Sequence, residues 1–563
     1  MIKLTINHIH IEVQDGITVM EAAAILGIDI PSMCFQPGFS NHPSCMVCLV
    51  KDLDRDHLVP SCAIPVSEGM KILTNSAEVI RARKEALELM LSDHVGDCEA
   101  PCRVSCPAFM DIPLMNRLIA SGDFNQALRI VREEIALPLI LGYICPAPCE
   151  KACKRKPIDQ AVSICLLKRS AAQYGESEKQ EKSDISQGSS KKVAIIGTGP
   201  AGLSAAFYLL RSGHEVILYD LHKMAGGAMR YQVSGDILPH EILDKEIDNI
   251  REMGAKFRLG TTITKELFHK TILREFHAVI LTTGNLSSNP VDVFGIQPDE
   301  HGSLVDKKNF TTSIPGVFAC GNIIREQKMA VHSVAQGKMA AKQVESYLRN
   351  KSDIAGHSPT DFGLSFINET ARNHPGQNIR EIHPEGEHKH RSISTIGHLF
   401  EPEWKEYLQE GIPDHRFEPA GGAITGFTRE AAMHEAQRCL RCDCRKPVSC
   451  KLRLYAEEYG ANRKRYAGRE RNQLTRSMQH ELVVYETEKC IRCGLCIEIT
   501  QKHGEPVGLT FVGRGFDVRI SVPFNETIKV ALTRTAEECV KACPTGALAF
   551  KNEEERINKP LNQ

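Results

Sequence analysis

Cysteine is the residue type in this 563-residue chain whose spacing could do chemistry: of 21 cysteines, all but Cys320 and Cys539 fall into tight groups. Thiolates gathered in fours hold iron with inorganic sulfide, or zinc. A disulfide framework is the other use of so many cysteines, and it needs an oxidising compartment. The amino terminus shows no basic segment followed by an apolar one, so metal ligation in a cytoplasmic chain is the expectation.

Cys34, Cys45, Cys48 and Cys62 stand at C-x10-C-x2-C-x13-C. They follow KLTINHIHIEV at 3–13, whose polar and apolar residues alternate about Asn7-His8 as in a hairpin, and a helix expected from about Thr18 to Leu26. Four thiolates on loops of a small sheet suit a 2Fe-2S cluster. Zinc is disfavoured by the ten-residue first gap, because zinc ribbons generally offer paired C-x2-C knuckles. The layout resembles the amino-terminal domain of the large iron-sulfur subunit of complex I and of multi-subunit hydrogenases, which implies a β-grasp ferredoxin fold.

The second group is Cys98, Cys102 and Cys106, then Cys145, Cys149, Cys153 and Cys165. Apolar residues recur every three or four positions from Ala77 to Leu91 and from Pro113 to Glu134, so the region is helical. With PAFMDIPLMNRLIASGDFNQALRIV between its halves, it resembles the two-cluster domain shared by the glutamate synthase small subunit and dihydropyrimidine dehydrogenase. That resemblance implies two 4Fe-4S clusters and eight ligands. His94 stands about where the family's first cysteine falls, and a neutral imidazole can ligate iron; a surface histidine, with water or another side chain as the eighth ligand, is the competing reading.

Cys439, Cys442, Cys444 and Cys450, in CLRCDCRKPVSC, can enclose one further 4Fe-4S cluster or a zinc ion. The last group, CIRCGLC at 490–496 with CVKACPTGAL at 539–548, resembles a two-cluster bacterial ferredoxin module. Thr500, Thr533 and Ala536 replace ligands of one cluster. The resemblance leaves Cys490, Cys493, Cys496 and the distant Cys543 to hold the other, and GLTFVGRGFDVRI between them resembles a segment of hydrogenase and complex I proteins.

Between these groups lies a different motif. Gly197, Gly199 and Gly202 form G-x-G-x-x-G between the apolar strand VAII and a helix opened by Pro200 and Ala201, and a second strand, EVILYD, ends in Asp220. The glycines supply a tight turn, close backbone approach to a pyrophosphate and helix-on-strand packing, and the acid can accept ribose hydroxyls. With Gly226-Gly227 before AMRYQV, AVILTTG ending at Gly284, and GVFACGN ending at Gly321-Asn322, the stretch resembles the flavin domain of the glutamate synthase small subunit. By resemblance the dinucleotide is FAD. The family ends the last motif in Gly-Asp and inserts an NAD(P)H-binding domain before it; here the amide Asn322 replaces the acid, and about thirty residues from Gly284 to Gly316 leave room for no such domain.

The expected architecture is multi-domain, α+β and α/β: a 2Fe-2S β-grasp domain at 1–77, a helical two-cluster domain at 78–173, a polar linker at 174–192, a Rossmann-like FAD domain at 193–349, an unassigned connection at 350–430 and a ferredoxin-like region at 431–563. The chain has 69 basic and 70 acidic residues, so no strong field points to nucleic acid or an anionic membrane. Runs such as 135–142 are far shorter than the about 20 residues of a membrane span.

One FAD, one 2Fe-2S cluster and about four 4Fe-4S clusters make an electron-transfer subunit of a larger oxidoreductase: a hydrogenase, a formate dehydrogenase or an NADH-linked complex, with electron bifurcation among the options. The amino-terminal resemblance implies a hetero-oligomer with a partner subunit that binds NADH and FMN. A self-contained NAD(P)H-dependent enzyme like the glutamate synthase small subunit, and a zinc-rich scaffold with a vestigial flavin domain, are the alternatives. No acid, base or nucleophile constellation stands out as catalytic.

Overall fold

The alternation of KLTINHIHIEV becomes an antiparallel hairpin of Ile2–Ile6 and Ile9–Val13, with Ile2 opposite Val13 and Ile6 opposite Ile9. Asn7 and His8 both take positive φ, as a two-residue turn that follows the strand twist requires. The structure, a computed structural model, describes residues 1–39, 42–176, 190–285, 290–306, 308–353, 395–396, 408, 413, 415–466 and 475–551. Most of the linker at 174–192 and of the connection at 350–430 lies outside them.

The chain forms two units, one of Met1–Ala100, Leu364–Glu410 and Arg441–Gln563, the other of Pro101–Gly363 and Gly411–Leu440. In the first, the hairpin is part of a five-stranded sheet in the order 9–13, 2–6, 71–73, 49–52, 57–60, with 2–6 and 71–73 parallel. The helix Val19–Ile25 begins in a capping box, Thr18 accepting the Glu21 N–H while the Glu21 carboxylate accepts the Thr18 N–H. Its Val19, Met20, Ala22 and Ala23 join the apolar core on this sheet, as do Cys48 and Cys62. Buried Arg83, on the helix Ala77–Asp93, donates to the Leu49 carbonyl and, at 3.1 Å, to Tyr459 Oη, which ties this sheet to the carboxy-terminal segment.

That segment builds its own core from Val483–Glu486, antiparallel to Leu548–Phe550, the hairpin Thr510–Val512 with Arg519–Ser521, and the helices Leu495–Lys502 and Ala536–Ala542. Where a two-cluster ferredoxin would place its other ligands, Glu505 accepts hydrogen bonds from Thr533 Oγ1, Arg534 N, Thr535 N and Thr535 Oγ1 at 2.5–2.9 Å. A carboxylate and its donors hold the chain there.

In the second unit the amphipathic helices Ile112–Ala120 and Phe124–Glu134 start at Asp111 and Asp123, whose carboxylates accept first-turn N–H groups. They pack with Ile164–Tyr174 and Arg429–Gln437. A wholly parallel sheet follows, in the order 317–319, 278–281, 192–196, 215–219, 256–258. Buried Glu246, on His240–Glu252, joins helices to sheet by accepting the Leu139 and Ile140 N–H groups at 3.0 and 2.9 Å. The first residues after the glycine turn meet the helix Ala330–Asp353 so closely that a Cβ on Gly337 would lie 2.2 Å from the Ala201 carbonyl oxygen. Among the described residues no helix is long and apolar enough to cross a membrane.

Burial alone would raise the Glu505 carboxyl, but its hydrogen-bond donors outweigh that and hold it at about 2. A depressed carboxyl stabilises the fold above its ordinary range, and the contribution fades as pH falls through that range toward 2. Glu505→Gln is therefore expected to cost about 1 kcal/mol at pH 7, with the gap in melting temperature from the unaltered chain constant above about pH 6 and narrowing below about pH 4.5. A gap independent of pH down to 4 would contradict this role.

Candidate functional site

In the first quartet Cys34 lies 3.4 Å from Cys45 and Cys48 3.3 Å from Cys62, and a further Cys34–Cys62 contact joins all four buried sulfurs in one group. Ser61 holds the two loops together, its Oγ donating to the Cys48 carbonyl at 2.7 Å. The hydrogen bond between Cys48 and Cys62 brings the Cys48 thiol down to about 7, into the range where thiolate, the ligating form, is abundant. Two thiolates for each of two irons is the requirement of a 2Fe-2S body, and this arrangement fits it.

Cys106, Cys145, Cys149 and Cys165 line one pocket, joined by Lys168 and Val331. A hydrogen bond from Cys165 lowers the Cys145 thiol to about 5, whereas burial raises Cys149 to about 12. Burial would lower Lys168, but the surrounding Cys165, Cys145, Cys149 and Cys106 outweigh it and raise it. Cys490, Cys493, Cys496 and Cys543 line a second pocket, under Tyr485 and Pro544. Thr500 takes no part: its Oγ1 donates to the Ile497 carbonyl and accepts the Leu509 N–H.

Cysteines adjacent in sequence are not always neighbours in space. Cys98 belongs to the first unit and Cys102 and Cys106 to the second, while the 439–450 group divides between Leu440 and Arg441. The Cys444 N–H donates to the Cys98 carbonyl at 3.3 Å, Arg453 pairs with Glu99 at 2.8 Å, and burial together with Cys444 and Cys450 raises the Cys98 thiol. Lys446 anchors the same loop by donating to the Val540 and Cys543 carbonyls. Cys439 instead lies by Cys153, because buried Arg155 donates to the Arg438 carbonyl at 2.7 Å and bonds Asp159. Cys102 and Cys442 are half-buried.

His94 ends the helix Ala77–Asp93, in the same unit as Cys98, with its ring 7% exposed and Nδ1 without a hydrogen-bond partner. Burial, then the Lys489 ammonium, lowers it to about 3, so the ring is neutral near pH 7 with a lone pair to offer. It is a buried residue, unlike the surface histidine of the competing reading. Cys320 and Cys539 are buried thiols raised to about 12 by burial, and neither lines a cysteine pocket.

The loops between ligands share a feature: Met46, Ala147, Arg441 and Arg492, each between two grouped cysteines, take positive φ, as does Phe109 just after Cys106. Non-glycine residues adopt this conformation at a cost and cluster where a chain must wrap a ligand. Among the described residues no three His, Cys, Asp or Glu side chains converge on one point at single-ion distance.

At the glycine turn, Gly197 has φ of 110° and its missing Cβ would lie 2.3 Å from the Thr282 carbonyl oxygen; a Cβ on Gly202 would lie 2.0 Å from the Gly197 carbonyl oxygen. A Cβ on Gly199 would meet nothing within 4 Å. Gly199 opens the helix Pro200–Arg211 with no side-chain cap, leaving first-turn N–H groups for phosphate. The Gly226-Gly227 loop lies on this turn, Gly226 N donating to the Thr198 carbonyl at 3.1 Å. The Gly321 N–H donates to Gln336 Oε1, Asn322 Oδ1 accepts the Gln327 N–H, and Gly284 takes φ of 74° with open space beside it. These features fit a dinucleotide.

Asp220 differs from the sequence expectation. Its Oδ2 accepts the Thr198 N–H and hydroxyl at 2.8 and 2.6 Å, and its Oδ1 accepts the His222 N–H at 2.9 Å with His222 Nδ1 3.0 Å away. The carboxylate braces the turn from beneath. Between the paired strands Ala278–Leu281 and Val317–Ala319, the described residues form one short helix, Pro290–Phe294, and no second parallel sheet.

Residues 1–77 match the 2Fe-2S iron-sulfur cluster binding domain, 74–180 the dihydropyrimidine dehydrogenase domain II with its 4Fe-4S cluster, and 195–256 the NAD(P)-binding Rossmann-like domain. The chain is 34% identical over 256 residues to the beta subunit of an NADPH-Fe(3+) oxidoreductase of Geobacter sulfurreducens, 44% of this chain and 37% of that one. It is 32% identical over 235 residues to the beta subunit of an NADP(+)-dependent formate dehydrogenase of Moorella thermoacetica, 38% and 33% of the two chains. It is 32% identical over 236 residues to the PreT subunit of an NAD-dependent dihydropyrimidine dehydrogenase of Salmonella typhimurium, 41% and 55% of the two. The chain thus spans from 33% to 55% of the length of these curated relatives. In order along the sequence it carries a 2Fe-2S domain, a 4Fe-4S domain of the dihydropyrimidine dehydrogenase type and a Rossmann-like dinucleotide domain.

Proposed function

We propose that this chain is an electron-transfer subunit of a multi-subunit oxidoreductase, with FAD at the glycine turn, a 2Fe-2S cluster on Cys34, Cys45, Cys48 and Cys62, and about four 4Fe-4S clusters. Cys106, Cys145, Cys149 and Cys165 hold one of these, and Cys490, Cys493, Cys496 and Cys543 another. His94 joins Cys98, Cys444 and Cys450. Cys102, Cys153 and Cys439 supply ligands of the remaining one.

The observation that carries this reading is the wall of the Cys106 pocket. Val331, which closes it, begins the helix that follows Gly321-Asn322, and that helix packs on the helix of the glycine turn, Ser204 Oγ donating to the Val334 carbonyl at 2.7 Å. A cluster there abuts the dinucleotide domain. Flavin exchanges two electrons or one, and iron-sulfur clusters one at a time, so the protein's part is to set the two carriers side by side and exclude water between them. Among the described residues between Gly284 and Gly316 there is no second parallel sheet, and the stretch is only about thirty residues long, which supports an NADH- and FMN-binding partner as the source or sink of hydride. The named relatives are themselves subunits of NADPH-, formate- or NAD-linked enzymes.

A second reading takes NAD(P) as the dinucleotide at the turn, favoured by the description of the family that matches 195–256. The two separate cleanly. NADH or NADPH added anaerobically to the isolated chain is expected to leave its flavin oxidised within minutes, and addition of the NADH-binding partner to reduce it; an isolated chain that carries no flavin and binds NAD(P)H in equilibrium dialysis would favour the second reading. Gly199→Ala, which meets open space, is expected to change stability of the dinucleotide-free chain by no more than about 0.5 kcal/mol while weakening dinucleotide retention at least about tenfold. Gly202→Ala, which collides with the turn, is expected to destabilise the chain itself by about 1–3 kcal/mol. Equal behaviour of the two variants in thermal melting and equilibrium dialysis would remove the pyrophosphate from this turn.

A further inference from the structure

Lys168 is a buried cation with no carboxylate against it. It is 4% exposed, on the helix Ile164–Tyr174 one turn beyond Cys165, and its ammonium donates to the Leu141 carbonyl at 3.2 Å and to Cys165 Sγ at 3.8 Å. Glu150 and Glu246, the carboxylates that feel its charge, are engaged elsewhere: Glu150 accepts the Cys165 N–H and an Arg416 N–H, and Glu246 the Leu139 and Ile140 N–H groups. A lone buried ammonium is strongly unfavourable unless negative charge lies beside it. Four thiolates on iron and sulfide supply that charge, because a 4Fe-4S body with four cysteinates is a net anion in both of its working oxidation states.

We propose that Lys168 is the cation that tunes the cluster held by Cys106, Cys145, Cys149 and Cys165, raising its reduction potential so that this cluster accepts electrons from the dinucleotide beside it. The inference rests on the ligand set proposed above. The reduced flavin loses one electron and the cluster gains one, so the cluster's negative charge grows by one while Lys168 keeps its proton. A fixed positive charge at hydrogen-bond range stabilises the more negative state, and hydrogen bonds and charges near the sulfurs set the potentials of such clusters. Val331 and the apolar lining keep water from screening the interaction.

Lys168 also caps the Leu141 carbonyl, so the test must separate charge from packing. Lys168→Gln keeps a donor for that carbonyl and removes the charge; Lys168→Arg keeps both. In anaerobic redox titrations of the holo-chain followed by electron paramagnetic resonance, Lys168→Gln is expected to lower one cluster's ratio of reduced to oxidised forms about tenfold at its original midpoint, a shift of about 59 mV for a one-electron couple. Lys168→Arg is expected to stay near the unaltered chain. Fully loaded Lys168→Gln with every midpoint unchanged overturns the proposal alone. Loss of this cluster from Lys168→Gln with recovery in Lys168→Arg supports it, and loss from both overturns it. A Cys106→Ser chain that retains all its iron overturns the ligand set and the proposal together.

Discussion

Reduced sulfur buried in groups must be neutralised by something within the protein, and this requirement shapes every part of the chain described above. Among the described residues no two cysteines form a disulfide, and the grouped ones are buried or half-buried. Thiolates so placed repel one another and lose hydration. Their thiols move apart in acidity accordingly, one member of a set held down by a neighbour's hydrogen bond and others pushed up by burial. Iron bound by each group, as proposed, reconciles them. The left-handed residues Met46, Ala147, Arg441 and Arg492 are local costs that a wrapped metal body repays in bonds.

The same unit that holds Cys106, Cys145, Cys149 and Cys165 also holds the dinucleotide turn, and buried polar contacts fix one against the other. Glu246 reaches from the dinucleotide domain to two N–H groups that open the helix Pro138–Ile144, which runs directly into Cys145. Ser204 and Gly337 set two helices at contact distance, and the second of them presents Val331 to the cysteines. Each contact would be expendable in a domain that only bound a nucleotide. Together they hold the Cys106 pocket and the dinucleotide turn at fixed separation.

Much of this was legible in the residues. Alternation about Asn7-His8 gave the hairpin, the helix expected from about Thr18 to Leu26 runs Val19–Ile25, and the glycine fingerprint with its two strands gave a parallel sheet. Thr500, Thr533 and Ala536 in place of cysteine signalled a missing cluster, and Glu505 with its four donors stands there. Other features depend on where the chain crosses between units, which spacing does not encode. Cys98 keeps company with Cys444 and Cys450, more than three hundred residues on, because Met1–Ala100 and Arg441–Gln563 belong to the same unit. Asp220 was legible as an acid at the end of a strand, but not as the brace of Thr198, because any side chain one turn away could have taken its hydrogen bonds. Lys168 had no motif at all; only its burial among thiols singles it out.

The central claim is that these sulfurs surround iron and sulfide. Metal and acid-labile sulfide analysis of the chain isolated without oxygen, joined to Mössbauer spectroscopy of an iron-57 sample, tests it most directly. The expected result is about eighteen irons per chain with equal sulfide, about one ninth of the iron in a 2Fe-2S spectrum and the rest in 4Fe-4S spectra. Zinc in place of iron, or iron without labile sulfide, would contradict it.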